Sequence, residues 1–148
     1  MLISVIITTY NSPDFLQRCI NSFLDQADSH FEIIVADDGS KEETKLLVEK
    51  YKDSHLNIKH VWHDDKGFRA AKIRNEAVRK SSGEYLIFID GDCVAFSDFI
   101  QNHKIISEKG FFARGNRIML SENFSDILIK ENHNINLISF MRYIKLRL

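Results

Sequence analysis

Residues 2–8, LISVIIT, are a continuous, β-branched apolar run, without the polar alternation of a strand that faces water on one side. Such a run suits a strand covered on both faces, the condition met in the parallel sheet of an α/β domain. The rest of the chain repeats the arrangement. NSPDFLQRCINSFLDQ places Leu16, Cys19, Ile20, Phe23 and Leu24 at helical spacing, with Ser12 as N-cap and Pro13 at the first helical position. FEIIVADDGS is a second apolar strand ending in Asp37 and Asp38, and Ser40 with Glu43 predicts a capping box for a helix through about Tyr51. NIKHVW reads as a third strand, KGFRAAKIRNEAVRK as a basic helix and EYLIFID as a fourth strand. Beyond it Ser97 caps a helix through about Glu108, FFARGNRIML reads as another strand, and INLISFMRYIKLRL ends the chain with three positive charges. This alternation predicts an α/β fold over residues 1–148 as one domain: a mostly parallel sheet, Rossmann-like, with helices on both faces.

In such sheets ligands bind beyond the carboxyl ends of the strands. Thr8 to Asn11, Asp37 with Asp38, and Asp90 with Asp92 all fall at those ends and converge on one crevice. Two carboxylates held together repel unless a cation or hydrogen-bond donors offset the charge. The Asp90-Gly91-Asp92 spacing brings both near one point. Mg²⁺ or Mn²⁺ is the matching partner, a hard ion that takes one or two carboxylates and completes its shell with water and substrate phosphates. Gly91 permits a tight turn and close approach of a ligand. The bland alternative is that the acids only cap the following loop and helix. A second indication is the basic helix, where Lys66, Arg69, Lys72, Arg74, Arg79 and Lys80 stand against the single acid Glu76. Arg79 and Lys80 suit the C-terminal end of a helix dipole; the other four lie toward the wrong end, so an anion is expected beside them. A diphosphate gripped between these cations and a metal on Asp92 accounts for both clusters.

SVIITTYNSPDFLQRCINSFLDQ, FEIIVADDGS, KGFRAAKIRNEAVRKSSGEYLIFIDGDC and ARGNRIMLS, in this order and spacing, resemble the N-terminal part of family two glycosyltransferases with the GT-A fold, of the bacterial lipopolysaccharide or capsule type. The resemblance covers about the first 120 residues. It implies a nucleotide-sugar donor, most often a UDP-sugar, a divalent ion (Mn²⁺ or Mg²⁺), a glycan or lipid-linked acceptor, and inversion of the anomeric centre in one displacement. By position it implies that Thr8 and Tyr10 frame the base beside Asn11, and that Asp38, next to Asp37, contacts the uracil edge. Arg74 with Asn75 would support the acidic cluster, Asp90 would reach the ribose or its surroundings near the metal, and Asp92 would hold the metal. Lys66, Arg69, Lys72 and Gly91 complete the expected donor site.

The sequence departs from the family in the acceptor half. Relatives carry the general base in a later motif with Trp and an acidic pair, yet the single tryptophan, Trp62, lies upstream of the two aspartates. Asp98, Glu108, Glu122, Asp126 and Glu131 are the later carboxylates, none in that context. Relatives also continue for about another hundred residues, a domain's worth. The expectation is a donor-binding half, with residues 121–148 starting the acceptor side, that binds UDP with Mn²⁺ weakly and transfers sugar poorly or not at all. Apolar surface left uncovered would favour a homodimer.

Other classes fit less well. A catalytically inactive nucleotide-binding module is the non-enzymatic alternative. FIDGDCV also satisfies the DxDxV of a haloacid dehalogenase-type phosphatase, with Asp90 as nucleophile and Asp92 as acid, but that motif belongs early in a chain and needs a later acidic pair. There is no GxGxxG after the first strand and no P-loop. A net charge of −1 argues against nucleic acid as a partner. Cys19 and Cys93 form no CxxC, there is no signal peptide, and no apolar run approaches the roughly 20 residues of a membrane span, so a cytoplasmic location is expected. SFMRYIKLRL, with Arg142, Lys145 and Arg147, suggests either peripheral contact with an anionic membrane face or a helix packed on its own domain. His60 and His63 are three apart, hence on opposite faces of a strand and unsuited to one metal, His103 is expected on a helix surface, and Phe31, Phe88 and Phe96 are expected in the core.

Overall fold

Strand β1 (Ile3–Thr9) lies inside a four-stranded sheet with β2 (Phe31–Asp37) on one side and β4 (Tyr85–Asp90) on the other, while β3 (Ile58–Trp62) extends the sheet beyond β2. This is a computed structural model, and it describes residues 1–121 together with Ser125. The order is β3-β2-β1-β4 and every pairing is parallel, as the unbroken apolar runs require. Helices α1 (Pro13–Asn21), α2 (Glu42–Lys50), α3 (Ala70–Lys80) and α4 (Phe99–Ile106) connect or follow the strands.

Alternate residues of β1 feed two cores. Ile3, Val5 and Ile7 join Ile33 and Val35 of β2 beneath Leu16, Cys19 and Ile20 of α1, Leu47 and Val48 of α2, and Ile100 of α4. Ile6 joins Ile34 and Ala36 beneath Ile73 and Ala77 of α3. Helices therefore cover both faces, three on one and α3 on the other.

The chain first runs outward from β1 through β2 to β3, then returns to the opposite side of β1 as β4. The strand order reverses at β1, and the crevice of a sheet of this kind opens there. The register fixes its floor: Thr9 is level with Asp37 and Thr8 with Asp90. Two strand spacings thus separate the aspartate-bearing ends of β2 and β4, about 10 Å.

Several local expectations change. Ser12 precedes α1 and Pro13 begins it, but the Ser12 hydroxyl donates to Tyr10 O (3.1 Å) instead of capping the helix. The predicted capping box is absent, because Ser40 Oγ accepts the Asn11 N–H (2.8 Å) and Lys41 takes the N-cap position of α2. The basic helix begins at Ala70, which puts Lys66 and Arg69 before its first turn. Asp98, not Ser97, precedes α4. FFARGNRIML is not a strand: residues 111–120 have no regular structure, pair with none of the four strands, and leave Phe111 and Phe112 exposed. Phe31 is buried and Phe96 half-buried, but Phe88 on the edge strand β4 is 54% exposed. Glu122, Asp126, Glu131 and the cationic tail around Arg142, Lys145 and Arg147 lie outside the described residues. Among the described residues no helix is long and apolar enough to cross a membrane.

Candidate functional site

Three strand ends supply the crevice. On β4, Asp90 Oδ1 accepts from Arg74 Nη2 (3.0 Å) and Oδ2 from Arg117 Nη1 (3.3 Å). Arg74 also donates through Nε to Thr8 Oγ1 (2.7 Å), so α3, β1 and β4 are tied at one guanidinium. Both oxygens of Asp90 are thereby engaged by cations. Asp92 is different: it sits exposed in the turn after β4, where among the described residues only the Cys93 thiol donates to it (3.5 Å). Burial, then the neighbouring Asp92 carboxylate, pushes the Cys93 thiol up and keeps it protonated.

Gly91 makes this turn feasible in a way the sequence reading did not anticipate. Its N–H donates to Thr8 O (2.8 Å), and a Cβ there would lie 2.9 Å from that same oxygen. The close approach that needs glycine is that of β1 itself.

The two aspartates at the end of β2 are buried, and each of their carboxylate oxygens accepts a hydrogen bond. Asp37 Oδ1 accepts the Ser40 N–H (2.8 Å) and Oδ2 the His60 Nε2–H (2.9 Å). Asp38 Oδ1 accepts the His63 Nε2–H (2.7 Å), and Oδ2 accepts the Arg69 N–H (2.8 Å) just ahead of α3. Asp38 thus acts as the anion at the positive end of this helix, one of the compensating charges that the sequence assigned to a ligand. Arg69 is further fixed by a bond from its guanidinium to Asp64 O. Lys72 lies 3.8 Å from Glu76, one turn on. Lys66 and Asn75 are exposed, and among the described residues no hydrogen bond or ion pair joins either to Asp90, as one does Arg74.

Tyr10 and Asn11 form the rim. Tyr10 Oη donates to Asp65 Oδ2 (2.8 Å), a bond that raises the phenol pKa and, with the Gly67 N–H, holds the Asp65 carboxyl below its usual range. Asn11, at φ 47°, accepts the Lys41 N–H through Oδ1 (2.9 Å), which pins the β1–α1 loop to the β2–α2 loop. Gly39 (φ 95°) lets Asp65 pass: a Cβ would lie 2.6 Å from its Cα.

Sequence reasoning missed His60, His63, Asp65 and Arg117. The histidines do lie apart, but each is the partner of one of the adjacent aspartates, a pairing visible only once β3 is placed beside β2. Among the described residues no three His, Cys, Asp or Glu side chains cluster as a metal site. A hard divalent ion still fits the exposed Asp92 carboxylate, since such ions bind through one or two carboxylates plus substrate phosphates. Asp90, with its oxygens on two guanidinium groups, fits an anchoring role better than that of a ligand.

Residues 4–104 match the family described as Glycosyl transferase family 2. The chain is 38% identical over 103 residues to a validoxylamine A glucosyltransferase of Streptomyces hygroscopicus subsp. limoneus, covering 68% of this chain and 22% of that protein. It is 30% identical over 138 residues to the poly(ribitol-phosphate) β-N-acetylglucosaminyltransferase TarS of Staphylococcus aureus, covering 92% of this chain and 22% of TarS. The crystal structure of TarS 1–349 in complex with UDP-GlcNAc superposes on 71% of this chain and 30% of that one, with a TM-score of 0.64 and 32% identity. The chain therefore spans less than a quarter of the length of either of these two relatives.

Proposed function

The chain belongs to glycosyl transferase family 2, and from that membership we propose that it binds a nucleotide-diphosphate sugar, a UDP-sugar, with a divalent cation, for transfer to a glycan or lipid-linked acceptor in surface polysaccharide synthesis. The observation that carries this reading is the register, which sets Thr9 level with Asp37 and Thr8 with Asp90 where the strand order reverses, Asp38 and Asp92 following directly in the chain. The binding of UDP-GlcNAc by TarS, which shares this fold, supports the choice of donor.

In this reading Tyr10 and Asn11 border the base, and Asp38, held rigid by His63 and the Arg69 N–H, presents the remaining lone pairs of its carboxylate to the uracil edge. Asp90 orients Arg74 beside the ribose and diphosphate. Asp92 would hold Mn²⁺ or Mg²⁺, which when bound neutralises charge on the departing diphosphate. Arg74 contributes positive charge to the same region; negative charge grows there as the sugar leaves, so it favours the transition state over the ground state. The acceptor hydroxyl attacks the anomeric carbon from the opposite side with inversion, and its proton needs a carboxylate base. Asp98 and Glu108, the later described acids, flank α4.

Binding without transfer is the second reading, supported by the sequence, in which no later carboxylate stands in the Trp and acidic-pair context of the family's general base. A calorimetric titration with UDP, GDP and CDP, each with Mn²⁺ or with EDTA, tests the donor assignment. The expected result is saturable, Mn²⁺-dependent binding of UDP alone, with the metal dependence lost in Asp92→Asn. Binding of none of the three, or binding indifferent to Asp92, overturns it. Adding UDP-GlcNAc and following UDP release separates transfer from binding alone.

A further inference from the structure

Arg117 lies on the irregular segment beyond α4, yet its guanidinium returns to the strand ends, with Nη1 3.3 Å from Asp90 Oδ2. Asp90 Oδ1 already accepts from Arg74 at 3.0 Å. Two guanidinium groups thus meet one carboxylate at the end of β4, with Asp92 two residues on. The two are not equivalent. Arg74 is set in α3 and fixed from a second side by Thr8, whereas Arg117 makes the longer contact from a segment without regular structure, with 65% of its side chain exposed. An exposed ion pair of that kind is weak and readily exchanged. A diphosphate offers a guanidinium several oxygens in the planar, two-pronged arrangement it matches best.

We propose that Arg117 is a ligand of the donor diphosphate, held on Asp90 while no donor is bound and passed to phosphate oxygens when one arrives. This rests on the reading of the crevice as a nucleotide-diphosphate-sugar site. Arg74 stays on Asp90 and Thr8 throughout, so the exchange leaves the carboxylate paired and moves one side chain of an irregular segment. That segment carries the exposed Ile118 and Met119 beside Arg117, and donor binding draws it toward the strand ends.

The test is calorimetry of the full 148-residue chain, wild type, Arg117→Ala and Arg117→Lys, against uridine and UDP, each with Mn²⁺ and with EDTA. Arg117→Ala is expected to weaken UDP binding about tenfold or more, as loss of a charge-assisted phosphate contact does, and to leave uridine binding unchanged. Arg117→Lys, which keeps the charge and loses the fork, falls between. The melting temperatures should agree, because the side chain is exposed and outside the helices and strands. UDP affinity equal to wild type in Arg117→Ala, or an equal loss for uridine, overturns the proposal. A wild-type chain that binds no nucleotide overturns the site reading itself, a failure seen before any substitution is made.

Discussion

At the scale of single residues, one buried charge lies far from the crevice. Glu32, 1% exposed near the start of β2, accepts from Ser4 Oγ (2.7 Å), Lys59 Nζ (2.8 Å) and the Ser82 N–H. Burial pushes its carboxyl pKa up, but the bonds from Lys59, Ser4 and Ser82 outweigh that and hold it below the ordinary value of 4.5. A carboxyl with a depressed folded pKa contributes stability above its unfolded value and loses that contribution as pH falls through the folded one. Glu32→Gln is therefore expected to cost about 1–3 kcal/mol at pH 7, with the gap to wild type closing below about pH 4.5; thermal melts across pH 2–8 measure it. A gap constant over that range would refute the assignment. Nothing in FEIIVA announces this network, because Lys59 and Ser82 approach Glu32 only through the β2–β3 pairing and the turn before β4. The same holds for the His60–Asp37 and His63–Asp38 pairs. The aspartates of the crevice were legible because strand ends are; their partners were not.

At the scale of elements, the strands were the legible part, since a run of apolar β-branched residues has few other uses. Helix termini were less so. Ser12 and Ser40 have the right chemistry for caps, but each hydroxyl has a competing backbone partner that joins two loops of the crevice or closes a turn. FFARGNRIML failed as a strand for a related reason: composition suits a ladder, but no neighbouring edge receives it. The turn after β4 is the element on which the site most depends. Gly91→Ala places a methyl group 2.9 Å from Thr8 O, a backbone atom of the central strand that cannot yield. The expected cost is about 1–3 kcal/mol from forced displacement of the turn. Because Asp92 follows directly, Mn²⁺-dependent UDP affinity should fall with it, and a melt and a titration on the same sample check both. A stable variant with unaltered metal dependence would mean that the turn does not position Asp92.

At the scale of the whole molecule, the two faces of the sheet differ in what they carry. The larger core, under α1, α2 and α4, gives most of the buried apolar surface. The smaller one holds α3 through Ile73 and Ala77 against Ile6, Ile34 and Ala36, and α3 alone delivers Arg74 to Thr8 and Asp90 and receives Asp38 at its start. If the crevice binds the donor as proposed, stability and binding should be coupled through one face more than through the other. Ile73→Ala, at a position 0% exposed, and Leu47→Ala on α2, 6% exposed, each delete a buried side chain at a cost of about 2–5 kcal/mol. Their effects on UDP should nonetheless part: with both variants kept well below their melting points, Ile73→Ala loosens the seat of Arg74 and weakens UDP several-fold, while Leu47→Ala leaves the affinity near wild type. Equal losses from the two faces would mean that binding follows overall stability, and that α3 has no privileged part in holding the crevice together.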